Sequence, residues 1–128
     1  MEVKAILRKL QVSPSKVQLV IDLVRGLDIG RAEKQLTFMK KGAAPAVLKL
    51  LKSAAANAEN NFKMNRVNLF VKEIFVTEGF RLHRWKPKAM GRATPIQKKS
   101  SIVTLILSEN AAHAKAPKTK TEVKKDAK

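Results

Sequence analysis

From Glu2 to Val12 (EVKAILRKLQV) apolar and polar residues nearly alternate, with Val3, Ala5 and Leu7 on one side and Lys4 and Arg8 on the other. A period of two predicts a strand with one face inward. The period then changes: Val17, Val20, Ile21 and Val24 recur at i, i+3, i+4 and i+7, a helical stripe. Ser13-Pro14 opens that helix, with Ser13 as the expected cap of the free N–H groups and Pro14 where a missing N–H loses no hydrogen bond. Arg25-Gly26 closes it, a cation followed by the residue that tolerates a left-handed cap. A short second helix is expected from about Ile29 to Met39, capped by Asp28, with Ile29, Ala32 and Leu36 inward. Lys40-Lys41-Gly42 breaks the chain. Pro45 then stands near the start of a longer helix to about Asn61, whose stripe is Val47, Leu50, Leu51, Ala54, Ala55 and Ala58. The small residues of Ser53–Ala58 let another backbone approach closely.

Val67–Thr77 (VNLFVKEIFVT) reads as a strand whose inward parity changes near Lys72-Glu73, from Val67, Leu69 and Val71 to Ile74 and Val76. A bulge or strong twist there accounts for the change. Ser101–Ser108 (SIVTLILS) is the matching strand. The polar stretch between them, with Pro and Gly at its middle, reads as a long hairpin arm over about residues 79–100. At ~3.3 Å per residue its tip stands on the order of 30 Å from the body. From Asn110 onward periodicity ends, and 111–128 reads as a flexible basic tail. A single α+β domain over about 1–110 is expected.

Charge adds what periodicity cannot. The chain carries a net charge of +17 and no cysteine. Between Gly79 and Ser108 there is no acidic residue, against seven cations: Arg81, Arg84, Lys86, Lys88, Arg92, Lys98 and Lys99. Such an arm cannot fold on itself without bringing like charges together, so its resting place is against a polyanion. Its cations are interleaved with Leu82, Trp85, Pro87, Met90 and Ile96, and the sole Trp can stack on an unpaired base. Nucleic acid is the partner this pattern favours over a membrane surface. Without cysteine, disulfides and thiolate metal sites are excluded. No secretory signal opens the chain and no apolar run is long enough to span a bilayer, so a cytoplasmic protein is expected.

Enzymatic signals are weak. Ser13-Pro14-Ser15-Lys16 matches S-x-x-K, but the companion S-D-N and K-T-G elements are absent, and helix capping explains the motif. Lys16 can still meet a phosphate near that helix start. His83 and His113 have no ligand spacing, and no Walker loop follows Gly26 or Gly30. Glu59 and Glu73 read as ion-pair partners, not acid–base catalysts. No catalytic residue, metal site or cofactor is expected.

Three linked segments carry a family resemblance. Ser13-Pro14-Ser15-Lys16-Val17 with Ile21-Asp22-Leu23-Val24-Arg25-Gly26, then Ser53-Ala54-Ala55-Ala56-Asn57-Ala58-Glu59-Asn60-Asn61, then Glu78-Gly79, Arg84, Pro87, Ala89, Gly91-Arg92-Ala93, Ile96 and Lys98, resemble the large-subunit ribosomal protein twenty-two family. The match spans about Val3 to Glu109. It implies three helices on a three-stranded antiparallel sheet, with a long basic hairpin threading large-subunit rRNA. It also implies a role in subunit assembly and a hairpin tip, about Met90-Gly91-Arg92-Ala93, that helps line the peptide exit tunnel. Leu82-His83-Arg84 occupies the family's macrolide-linked position. His83 stands where Lys is common, Ser101-Ile102 replaces a frequent Ser-His pair, and Gln18 replaces a frequent Arg.

The expected rRNA-binding set is Lys16, Arg25, Arg81, Arg84, Trp85, Lys86, Lys88, Arg92, Lys98 and Lys99. The expected partners are large-subunit rRNA, neighbouring ribosomal proteins and the nascent peptide, with no membrane and no homo-oligomer. A free-standing RNA chaperone or DNA-architectural protein shares the charge but would act as a separate species with broad substrates.

Overall fold

The structure, a computed structural model, describes residues 1–109. The tail expected over 111–128, with His113, lies outside the described residues. The element order is β1 (Glu2–Leu10), α1 (Pro14–Asp22), α2 (Ile29–Phe38), α3 (Ala44–Phe62), a 3-10 turn (Arg66–Asn68), β2 (Leu69–Pro87) and β3 (Ala93–Glu109). The strands form one antiparallel sheet in the order β1-β3-β2, so the last strand runs up the middle.

The helices cover one face of this sheet. Val3 on β1, Leu69, Val71 and Ile74 on β2, and Val103, Leu105 and Leu107 on β3 point into the core. They meet the helical stripes, Val17, Val20, Ile21 and Val24 from α1 and its following turn, Ile29, Ala32 and Leu36 from α2, and all six stripe positions of α3. Each fully buried Val, Leu or Ile contributes roughly 1.5–3 kcal/mol over leaving it exposed. Ala44, Ala54, Ala55 and Ala58 of α3 bury completely, and their small volume lets the helix axis lie close to the strands.

Three local expectations are corrected. Ser13 does not cap α1 through its hydroxyl: Ser13 Oγ faces Ser15 Oγ at 3.4 Å, and the Ser13 carbonyl accepts from Lys16 and Val17 N–H instead. Asp28 makes no side-chain cap on α2 and lies 3.9 Å from Arg31 Nε. Val67 is not an inward strand residue. It sits in the 3-10 turn, 80% exposed, because Asn65 Oδ1 accepts from Val67 N–H and turns the chain before β2 begins. The parity change in β2 is a register shift between Val71 and Glu73, so Lys72 is the extra residue.

The free edge of β2 is covered at its start by the turn after α1. Gly26 N–H donates to Val71 O at 3.0 Å, Val71 N–H donates to Leu27 O at 2.9 Å, and Asp28 bridges Phe70. Gly26 has φ +77°, which a side chain would strain. At Phe70 and Val71 the edge is thereby closed to another strand.

Candidate nucleic-acid interface

Both neighbours of β3 slip at the same level. β1 shifts register between Leu7 and Leu10, where Lys9 takes a φ of 60°, and β2 shifts between Glu78 and Arg81. Leu10 and Glu78 both pair with Ser101. Beyond that level β1 has ended, and β2 and β3 continue as a two-stranded ribbon from Arg81↔Lys99 to Pro87↔Ala93.

Gly79 makes the crossing possible. A Cβ on Gly79 would stand 2.7 Å from Ser100 Oγ, and that hydroxyl donates to the Phe80 carbonyl at 2.5 Å. At the far end the chain reverses over Lys88–Arg92. Lys88 N–H donates to Arg92 O at 2.7 Å, and Met90 and Gly91 have φ of 57° and 67°. Two consecutive positive φ values are the geometry of the primed hairpin turns. Of the expected tip residues, Met90, Gly91 and Arg92 lie in the reversal, while Ala93 already belongs to β3 and pairs with Pro87.

Pairing partners in an antiparallel ladder share a face, and faces alternate along each strand. One face of the ribbon therefore carries Arg81, Lys99, His83, Gln97, Trp85 and Pro95. The other carries Leu82, Lys98, Arg84, Ile96, Lys86 and Thr94. Cations stand on both faces and at the turn, and all seven are exposed. Trp85 is 70% exposed, so its ring is available for stacking.

Arg81 and Lys99 are like charges directly opposed across the ladder, an arrangement that repels. Glu78, one position before the acid-free stretch, relieves it with an ion pair to Arg81. The hydrogen bond from Arg81 and its charge, with Lys99 nearby, hold the Glu78 carboxyl below its ordinary value. Among the described residues, the cations further out have no acidic partner. Arg84 Nη1 donates to the His83 carbonyl at 2.8 Å, which holds its guanidinium along the strand.

Lys16 and Arg25 are not brought to the ribbon. Lys16 lies exposed on the body beside Lys41, in a depression of about 410 Å³ floored by Val12 and Leu19. Arg25 Nη2 donates to the Ile74 carbonyl at 3.1 Å and pairs with Asp22 at 3.2 Å, so it ties the turn to β2. Glu59 pairs with Arg66 at 3.8 Å, as its position suggested, and Glu33 shares that guanidinium at 2.7 Å.

Sequence reasoning passed over the root of the ribbon. There Lys9 of β1 and Gln11 just beyond it line, with Phe80, Arg84, Lys98 and Lys99, a groove of about 530 Å³. Phe80 is 73% exposed, between Gly79 and Arg81. A lone aromatic among polar residues was the available signal. Lys9 offered none, because a β-bulge re-aims it. Among the described residues no helix is long and apolar enough to cross a membrane, and no three His, Asp or Glu side chains converge as a metal site.

Comparison with known proteins agrees with this architecture. Residues 5–108 match the family described as Ribosomal protein L22p/L17e. The chain is 51% identical over 107 residues to the large ribosomal subunit protein uL22 of Aster yellows witches'-broom phytoplasma, covering 84% of this chain and 83% of that one. It is 50% identical to the protein of the same name from Onion yellows phytoplasma, with the same coverage. It is 44% identical to that of Oceanobacillus iheyensis, covering 85% of this chain and 96% of the relative.

Proposed function

This chain belongs to the ribosomal protein L22p/L17e family, and from that membership we propose that it is a structural constituent of the large ribosomal subunit whose ribbon lies among rRNA strands. The family is one of ribosomal structural proteins, not enzymes. The observation that carries the reading is the distribution of charge on the ribbon. A ribbon docked on the outside of an RNA would need cations on one face; this one has them on both faces and at its turn. Phosphates on all sides satisfy that pattern, and release of their counterions supplies much of the affinity.

In this reading Arg84, Lys86, Lys88, Arg92, Lys98 and Lys99 neutralise phosphates, and Arg81 does so in competition with Glu78. Trp85 stacks on an unpaired base. Lys16 and the half-exposed Arg25 side chain add contacts from the body. The reversal at Met90-Gly91-Arg92, with Ala93, reaches the wall of the peptide exit tunnel and the nascent chain. Leu82-His83-Arg84 stands on the limb leading there. Neighbouring ribosomal proteins and a cytoplasmic ribosome complete the setting. A two-stranded ribbon is marginal in water by itself, and packing within RNA supplies the support it lacks.

Gradient sedimentation of lysate at low salt tests the assignment. The protein is expected with large subunits; a protein that stays at the top of the gradient defeats it. Deleting Leu82–Arg84 tests the tunnel placement. Removing an odd number of residues from one limb sends Trp85 and everything beyond it to the opposite face relative to β3. The body is expected to fold and the response to macrolides to change; an unchanged response counts against the placement.

A further inference from the structure

We propose that the groove at the ribbon root is a binding site for one unstacked RNA nucleotide, whose base lies on Phe80 and whose phosphate is held by Lys9 and Lys98. This rests on the RNA reading of the ribbon and names a particular site within it. The groove offers about 530 Å³, within the range of small-ligand sites and enough for a single nucleotide; stacking on Phe80 needs a base freed from its neighbours, which a perfect duplex does not present. Four of its lining residues are cationic and none is acidic. So many like charges around one concavity repel one another, and a phosphate is the group that relieves them. Phe80 and Leu82 give the lining an apolar part, so a ligand that pairs an anion with a flat apolar surface suits it. A nucleotide does so; a free phosphate or an acidic side chain does not. Phe80 is 73% exposed, and the fold spends no burial on it. Its backbone is held nonetheless, because its carbonyl accepts from Ser100 Oγ at 2.5 Å. Lys9 reaches the groove through the positive φ that ends its pairing with β3. Gln11, also at the rim, offers both a donor and an acceptor to a base edge.

The test titrates the full-length chain into fluorescently labelled oligouridine and into a perfect RNA duplex of the same length. Loss of one base–aromatic stack is worth roughly 5- to 150-fold in affinity. Phe80→Ala is therefore expected to weaken oligouridine binding about ten-fold with an unchanged salt slope, and to leave duplex binding unchanged. Phe80→Trp is expected to retain oligouridine affinity. Lys9→Gln is expected to lower the oligouridine salt slope by about 0.7. Trp85 is not among the groove residues, so Trp85→Ala is expected to leave the Phe80 effect in place. If Phe80→Ala binds oligouridine as the parent does, or weakens both RNAs equally, the groove assignment is overturned while the ribbon's role stands. If the unaltered chain binds neither RNA, both fall together.

Discussion

Gly79 lies so close to Ser100 that a β-carbon on it would stand 2.7 Å from Ser100 Oγ and 3.3 Å from the Ser100 backbone. The two residues mark the level at which a three-stranded sheet becomes a two-stranded ribbon. Gly79→Ala forces the Ser100 hydroxyl to rotate away from the Phe80 carbonyl. The lost hydrogen bond and the crowding together cost about 1–3 kcal/mol. Hydrogen exchange is expected to quicken in the ribbon amides while the helices keep their protection. Adding Ser100→Ala removes the atom that clashes, so the double variant should recover part of the loss; strictly additive losses would contradict the contact.

Ser101 is fully buried on the core side of β3, and its hydroxyl has no hydrogen-bond partner. A buried, unpaired hydroxyl costs about 1–3 kcal/mol. Ser101→Ala removes the polar atom and opens only a small space, so a gain of about 1 kcal/mol is expected. Urea unfolding should display a raised midpoint with an unchanged slope. A lowered midpoint would mean that the hydroxyl is satisfied by something else.

Glu78 screens Arg81 where the ribbon leaves the body. Its carboxyl is held below the ordinary value of 4.5, chiefly by the hydrogen bond from Arg81. A depressed carboxylate contributes stability above its unfolded value, and that contribution is lost as the pH falls through the lowered folded value. The pair therefore stays intact at neutral pH and opens only in acid, below the ordinary value. Glu78→Gln is expected to release Arg81 at every pH. RNA affinity should rise, and the log–log salt slope should steepen by about 0.7 on a single strand. A slope equal to the parent's would indicate that Arg81 already contacts phosphate despite its partner.

Arg25 serves the body first. Its bond to the Ile74 carbonyl and its pair with Asp22 hold the turn that covers β2. Arg25→Met is expected to lower stability by about 1 kcal/mol. Its effect on the salt slope of RNA binding should be smaller than that of Lys86→Met on the ribbon. The reverse order would identify Arg25 chiefly as an RNA contact.

Periodicity locates the three helices and the body portions of the three strands, because most of the residues that carry the stripes and the inward alternation bury. The stripes at Val17–Val24 and Val47–Ala58 are the clearest cases. The Lys72 bulge was legible as a change of parity. Capping was not legible. Ser13 and Asp28 have the right chemistry, yet their side chains settle on Ser15 and beside Arg31. Val67 was misplaced because its apolar character fits a strand, while the decisive bond comes from Asn65.

Composition along the chain points to the partner class. An acid-free stretch with seven cations favours a polyanion whatever its conformation, since charge is a property of residues rather than of packing. Only the tertiary structure decides where those charges point. The ladder register divides them between two faces, Glu78 removes one from the free set, and Ile74 claims Arg25. The groove at the root belongs wholly to the folded state. Lys9 and Phe80 are 71 positions apart in sequence, and two slips in pairing at Ser101 bring them together. No local pattern encodes such a meeting, because it depends on how three strands end and twist against one another.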